Sequence, residues 1–167
     1  LYMFLIGSGQ YKFFNETIFT GNGSSSTLST IAYSEGAPFD TTVFQNCVFS
    51  NDTAQTALFL KCFGVTFIGC QFYNNITGDD GGIFYTCRDI QLRNCLIYAN
   101  SGLIIDNQFS EYLATISGTT IADNDPSGII RNSSGTLNIT NSIITDPISS
   151  STEAYYSLLT INPEHLT

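Results

Sequence analysis

Six copies of one nine-residue pattern run down the chain at near-constant spacing, and this limits the fold more than any other feature. Each copy sets an apolar residue, then Cys, Thr or Ser three positions later, a second apolar residue two after that, and a polar corner that is mostly Asn or Asp. The copies are FNETIFTGN (14–22), FQNCVFSND (44–52), FIGCQFYNN (67–75), LRNCLIYAN (92–100), ISGTTIADN (116–124) and ITNSIITDP (139–147). The strides between their first residues are 30, 23, 25, 24 and 23, and the long first stride holds an insertion at about 23–40.

Between the copies lie further short apolar runs, LFLKC (58–62), IFYTC (83–87), LIIDN (103–107) and GIIRN (128–132). No apolar stripe at helical spacing persists. A period of 20 to 25 residues with three short strands per turn predicts an all-β chain, a right-handed parallel β-helix of about six coils. The helix is expected to span 1–147, with 148–167 as a C-terminal tail or cap.

In that fold each pattern position becomes a column, with coils stacked ~4.8 Å apart. Phe14, Phe44, Phe67, Leu92, Ile116 and Ile139 form one inward column. Phe19, Phe49, Phe72, Ile97, Ile121 and Ile144 form another. Two more inward columns are expected, Leu58/Ile83/Leu103 and Leu60/Tyr85/Ile105/Ile130.

Between the first two columns sit Asn46, Gly69, Asn94, Gly118 and Asn141, with Glu16 as the exception. Asn and Gly are the residues that accept a left-handed backbone, so this position is read as a bend. Cys47, Cys70, Cys95, Thr119 and Ser142 stack just after it, preceded by Thr17. Asn22, Asp52, Asn75, Asn100 and Asn124 stack at the next corner. Cys62, Cys87, Asn107 and Asn132 stack at a third. Asn at such corners can satisfy turn amides of the adjacent coil.

The columns carry a resemblance. F-x-x-N (Phe19 to Asn22, Phe72 to Asn75) and GGI (Gly81, Gly82, Ile83) resemble the FxxN and GGA[ILV] repeats of polymorphic membrane proteins. Those are β-helical surface adhesins of chlamydiae, with similar repeats in surface proteins of some protists. The resemblance covers roughly 14–147 and implies an extended surface protein with an adhesive or scaffolding role, without implying a catalytic residue.

Composition narrows the partners. Lys+Arg is 5 against Asp+Glu 14, a net charge of −9, which argues against nucleic acid and anionic membrane. The charged fraction is 11 %, against roughly 25 % in ordinary domains. Six N-x-S/T sequons fit an extracellular or cell-surface glycoprotein. Asn22, Asn75 and Asn132 fall in ladders, which leaves Asn15, Asn51 and Asn138 as glycosylation candidates. The opening run Leu1 to Ile6 is too short to span a membrane and lacks the basic flank of a signal peptide, so the chain is read as a mature product or a fragment, with no membrane insertion of its own.

Candidate chemistry is sparse. The five cysteines have no C-x2-C spacing and read as small inward fillers interchangeable with Thr and Ser. GDDGG (78–82) offers Asp79 and Asp80, a pair resembling part of a polygalacturonase site. Asp106 is expected to face out beside Arg131. These three Asp are the acids of an alternative reading, a polysaccharide-active hydrolase or lyase. The single His165 lies off the repeat and Arg-x-Lys is absent, and turn chemistry accounts for the Asp pair. No cofactor is implied, beyond weak calcium binding at Asp123 and Asp125.

Outward columns say more. Phe59, Phe84, Ile104 and Ile129 are expected to form an exposed apolar stripe, with Val48, Leu96 and Ile143 as a second, broken set. Tyr73 and Tyr98 stack outward, as an aromatic ladder or a platform for glycans. The opening strand, with Leu1, Tyr2 and Phe4, offers an edge for strand addition. The function expected is a structural or surface module acting in self-assembly or adhesion, with itself or another surface protein as partner.

Overall fold

The computed structural model describes residues 4–5, 11–26, 29–33, 42–78, 81–107, 113–124, 130–132, 136–145 and 160–162. Every strand pairing among them is parallel and joins one coil to the next. Three large sheets wrap the core, a two-stranded sheet pairs Gly23–Ser24 with Thr53–Ala54, and no helix occurs among the described residues. Sheet I contains Phe4–Leu5, Ser29–Tyr33, Ala57–Leu60, Gly82–Tyr85, Leu103–Asn107 and Ile130–Asn132. Sheet II contains Lys12–Asn15, Thr42–Gln45, Val65–Ile68, Ile90–Arg93, Leu113–Ser117, Thr136–Thr140 and Thr160–Asn162. Sheet III contains Ile18–Thr20, Val48–Ser50, Gln71–Tyr73, Leu96–Tyr98, Thr120–Ala122 and Ile143–Ile144. Thr160–Asn162 lies in the segment expected as a tail and adds a seventh strand to sheet II.

Each repeat copy supplies one strand to sheet II and one to sheet III, turned by a single left-handed residue. That residue is Glu16, Asn46, Gly69, Asn94, Gly118 or Asn141, with φ of 51°, 51°, 63°, 53°, 60° and 49°. Glu16 therefore makes the same bend as the others and is no exception. The corner after sheet III repeats the device with Gly21, Asn51, Asn74, Ala99 and Asp123, and the corner after sheet I with Lys61 and Thr86. In every case the next residue turns inward as a ladder rung. A left-handed residue reverses the side-chain alternation, so apolar residues on both sides of a corner reach one core.

The core changes character along its axis. In the early coils it is aromatic: Phe14, Phe44 and Phe67 stack with centroids 4.8 and 5.1 Å apart. Phe19, Phe49 and Phe72 stack at 4.9 and 4.7 Å. Phe59 and Phe84 complete a third stack at 5.4 Å, with Phe59 edge-on to Phe44, Phe49 and Phe67. Offset and edge-to-face pairs of this kind add about 0.5–1.5 kcal/mol each beyond their buried area. Later coils continue the columns with Leu92, Ile116, Ile97, Ile121, Ile105 and Ile130, all buried.

Sheet I departs from expectation in two ways. Phe59 and Phe84 point inward, and Leu58, Ile83 and Ile104 occupy the outer face, where they are nonetheless fully buried. The register also slips by one at the next strand: Phe84 pairs with Ile105 and Tyr85 with Asp106, so Ile105 and Ile130 share a column with Phe84 rather than Tyr85. The first difference has a plain cause. Ala57–Leu60 is buried at all four positions, and a strand covered on both faces carries no alternation from which to read parity.

Candidate functional site

Two polar ladders run through the corners and fix the outer faces beside them. After the sheet II bend, the Cys47 thiol donates to the carbonyls of Gln45 and Phe14, Cys70 to those of Phe44 and Ile68, and Cys95 to those of Arg93 and Phe67. The Thr119 hydroxyl makes the same pair of bonds, to Leu92 and Ser117. All five cysteines are buried and unbridged. Burial pushes the Cys62 thiol up, and the Cys70–Cys95 contact pushes Cys70 up and pulls Cys95 down; with all five buried and each described ladder thiol donating to carbonyls, they act as hydrogen-bonding fillers. Among the described residues no three His, Cys, Asp or Glu side chains converge as a metal site.

After sheet III the Asn ladder holds each coil to the next. The Asn75 backbone N–H and its Nδ2 both donate to Asn100 Oδ1, at 3.1 and 2.9 Å. Asn100 repeats this toward Asn124 at 3.1 and 2.9 Å. Sheet III is thus pinned along both margins, and its outward side chains form two regular columns.

The first outward column is Ile18, Val48, Gln71, Leu96, Thr120 and Ile143, and the second is Thr20, Ser50, Tyr73, Tyr98 and Ala122. Ile18 is 68 % exposed, Ile143 61 % and Leu96 38 %. Tyr73 and Tyr98 stack with centroids 5.2 Å apart and planes 19° from parallel. No Asp, Glu, Lys, Arg or His occurs in any of the six strands of this sheet. On a chain of net charge −9 this is a charge-free, partly aliphatic strip. Tyr11 and Phe13, before the sheet II bend of the first coil, are also exposed.

The apolar stripe therefore lies on sheet III, and the one expected on sheet I is a correction. Phe59 and Phe84 are core residues, and Ile104 faces outward from sheet I but is fully buried. Ile129 lies outside the described residues. The broken set Val48, Leu96 and Ile143 is the one with exposed members. Ile18, which occupies the Val48 position in the first repeat copy, joins this set as its most exposed member. Leu1 and Tyr2 lie outside the described residues, and Phe4 pairs in parallel with Ala32.

The candidate acids do not come together. Asp79 and Asp80 lie outside the described residues. Their flanking glycines have a packing reason: a Cβ on Gly78 or Gly81 would strike the Gln55 or Thr56 carbonyl of the preceding coil. Asp106 leaves the outer side of sheet I opposite Arg131, but it is fully buried where solvent access was expected. Asp123 is an exposed corner residue, and Asp125 lies outside the described residues. Of the sequon residues, Asn15 and Asn51 are exposed and Asn138 is half-buried, whereas Asn75 is buried in the ladder.

The model of the right-handed β-helix region matches residues 4–158. The chain belongs to the right-handed β-helix family. No curated protein and no solved structure matches it. The match agrees with the stacked parallel coils, and this β-helix is compatible with surface or structural modules and with polysaccharide-active enzymes. Among the described residues no helix is long and apolar enough to cross a membrane.

Proposed function

We propose that this β-helix is a structural module of an extracellular or cell-surface protein, and that it associates with further copies of itself through the outer face of sheet III. The observation that carries the reading is the charge-free strip bearing exposed Ile18, Leu96 and Ile143 beside stacked Tyr73 and Tyr98. Removing such a face from water costs no charge desolvation, and an identical neutral face avoids the mutual repulsion that the rest of a chain of charge −9 would meet. A rigid solenoid presents the strip as a row at fixed coil spacing, which suits side-by-side contact. Glycans at Asn15, Asn51 and Asn138 fit the same setting, as does the FxxN and GGI resemblance to adhesins.

Sedimentation velocity over a concentration series tests this. The wild-type chain is expected to associate, and Ile18→Glu combined with Leu96→Glu to leave a folded monomer, because both side chains are exposed and outside the core. A wild-type chain that stays strictly monomeric at high concentration would sink the proposal.

A further inference from the structure

We propose that Asp52 is a neutral carboxylic acid in the folded protein, forming an acid-strengthened rung that clamps the first coil to the second and weakens as the proton leaves.

Asp52 is fully buried in a ladder otherwise made of Asn. Its Oδ1 does what Asn does, accepting the backbone N–H and the Nδ2 of Asn22, both at 2.8 Å. Its own N–H donates to Asn75 Oδ1 at 3.0 Å. The difference is the second side-chain atom. In the Asn rungs that atom is a donor surrounded by acceptors. Asn75 Nδ2 donates to Phe49 O and Asn100 Oδ1. Asn100 Nδ2 donates to Phe72 O, Tyr98 O and Asn124 Oδ1. By the register of sheet III, the equivalent places at rung 52 belong to Phe19 O, Ser50 O and Asn75 Oδ1. With Oδ1 acting as the Asn oxygen does, Asp52 has Oδ2 where Asn carries Nδ2, and Oδ2 is buried without a hydrogen-bond partner. A carboxylate there meets only oxygen lone pairs, whereas a carboxylic acid supplies the missing donor.

Among the described residues packed on this rung no charge changes this balance. The packed strands Ile18–Thr20, Gly23–Ser24, Val48–Ser50, Thr53–Ala54 and Gln71–Tyr73 contain no Asp, Glu, Lys, Arg or His, and both neighbouring rungs are neutral Asn. Burial pushes the Asp52 carboxyl above its ordinary value, against the opposing pull of the two Asn22 donors. A raised carboxyl means that the folded state holds its proton longer than the unfolded chain. The rung is strongest below the ordinary carboxylate range. It loses strength as pH rises from that range through the folded value, and is constant above it.

The test is urea unfolding of the full chain and of Asp52→Asn, from acid to neutral pH. Asn supplies the donor permanently, so the difference between the two chains isolates this one proton. The wild-type folding constant is expected to fall relative to Asp52→Asn as pH rises, tenfold for each unit by which the folded carboxyl is raised. A pH-independent difference, or an Asp52→Asn chain that fails to fold, would overturn the proposal. The Asp52 carboxyl 13C shift gives an independent reading in the wild type. Titration above the ordinary carboxylate range supports a neutral rung, and ionisation within that range refutes it.

Discussion

Asn46 leans over Gly69 of the next coil, its Oδ1 2.6 Å from the point where a Cβ on Gly69 would stand. Asn94 leans over Gly118 in the same way. The alternation of Asn and Gly along this bend is therefore a packing rule as well as a backbone rule. Both residues accept a left-handed backbone, but a Cβ at Gly69 or Gly118 would meet the Asn amide of the coil before it. Gly69→Ala is expected to cost about 1–2 kcal/mol for the left-handed Cβ, plus a smaller amount for displacing the Asn46 amide. The second part should vanish when Asn46→Gly removes that amide. A double-mutant cycle by urea denaturation measures the coupling, and an unchanged Gly69→Ala cost in the Asn46→Gly background would refute the rule.

Thr42 is fully buried in an inward column of sheet II, level with Val65, and its hydroxyl has no hydrogen-bond partner. Ile90, Ala114 and Leu137 continue that column. Burying an unpaired hydroxyl costs about 1–3 kcal/mol, and Val has nearly the same shape. Thr42→Val is expected to raise stability by about 1 kcal/mol, read as a higher urea midpoint with an unchanged slope. A lower midpoint would mean that the hydroxyl is satisfied in the folded chain.

These two sites also mark what the sequence can disclose. Sheets II and III were legible because each repeat copy spans a bend, and the bend leaves a signature in Asn, Gly and the inward rung. Sheet I has no such copy, and Leu58, Phe59 and Leu60 are all buried, so alternation could not tell its two sides apart. The slip at Leu103–Asn107 has a related origin, since the corner after Cys62 and Cys87 has no third Cys to hold the alignment. The exposed strip was legible in part. Val48, Leu96 and Ile143 follow from alternation, and Ile18 follows from the same column. That Leu58, Ile83 and Ile104 are buried on the outer side of sheet I is not encoded in the local pattern of these strands.

The cysteine ladder gives a chemical prediction. Each thiol of the Cys47, Cys70 and Cys95 stack donates to two carbonyls, as the Thr119 hydroxyl does. A thiol-specific reagent at mildly alkaline pH is expected to leave the native protein unlabelled and to label all five cysteines once the chain is unfolded. Cys70→Ser keeps a donor and should cost less than about 1.5 kcal/mol, whereas Cys70→Val removes the donor, adds bulk beside packed coils, and should cost about 1–3 kcal/mol. Rapid native labelling, or equal costs for the two variants, would contradict the role of Cys as a hydrogen-bonding filler.

Asn100 is the rung on which both directions of the Asn ladder converge. Its Oδ1 accepts two donors from Asn75, and its Nδ2 reaches Phe72 O, Tyr98 O and Asn124 Oδ1. Asn100→Ala strands buried donors on one side and carbonyls on the other, and is expected to cost about 2–4 kcal/mol, near the upper range for a single buried polar site. Asn100→Asp keeps the acceptor and replaces the donor by oxygen, which recreates at this rung the arrangement found at Asp52. Its carboxyl should likewise be raised in the folded state. Stability relative to wild type should then be best in acid, decline as pH rises through the raised carboxyl value, and level off above it. Urea unfolding of both variants across that range checks the sign. An Asn100→Asp chain that gains stability toward neutral pH would show that a carboxylate is tolerated inside the ladder, and would remove the physical basis for placing a proton on Asp52.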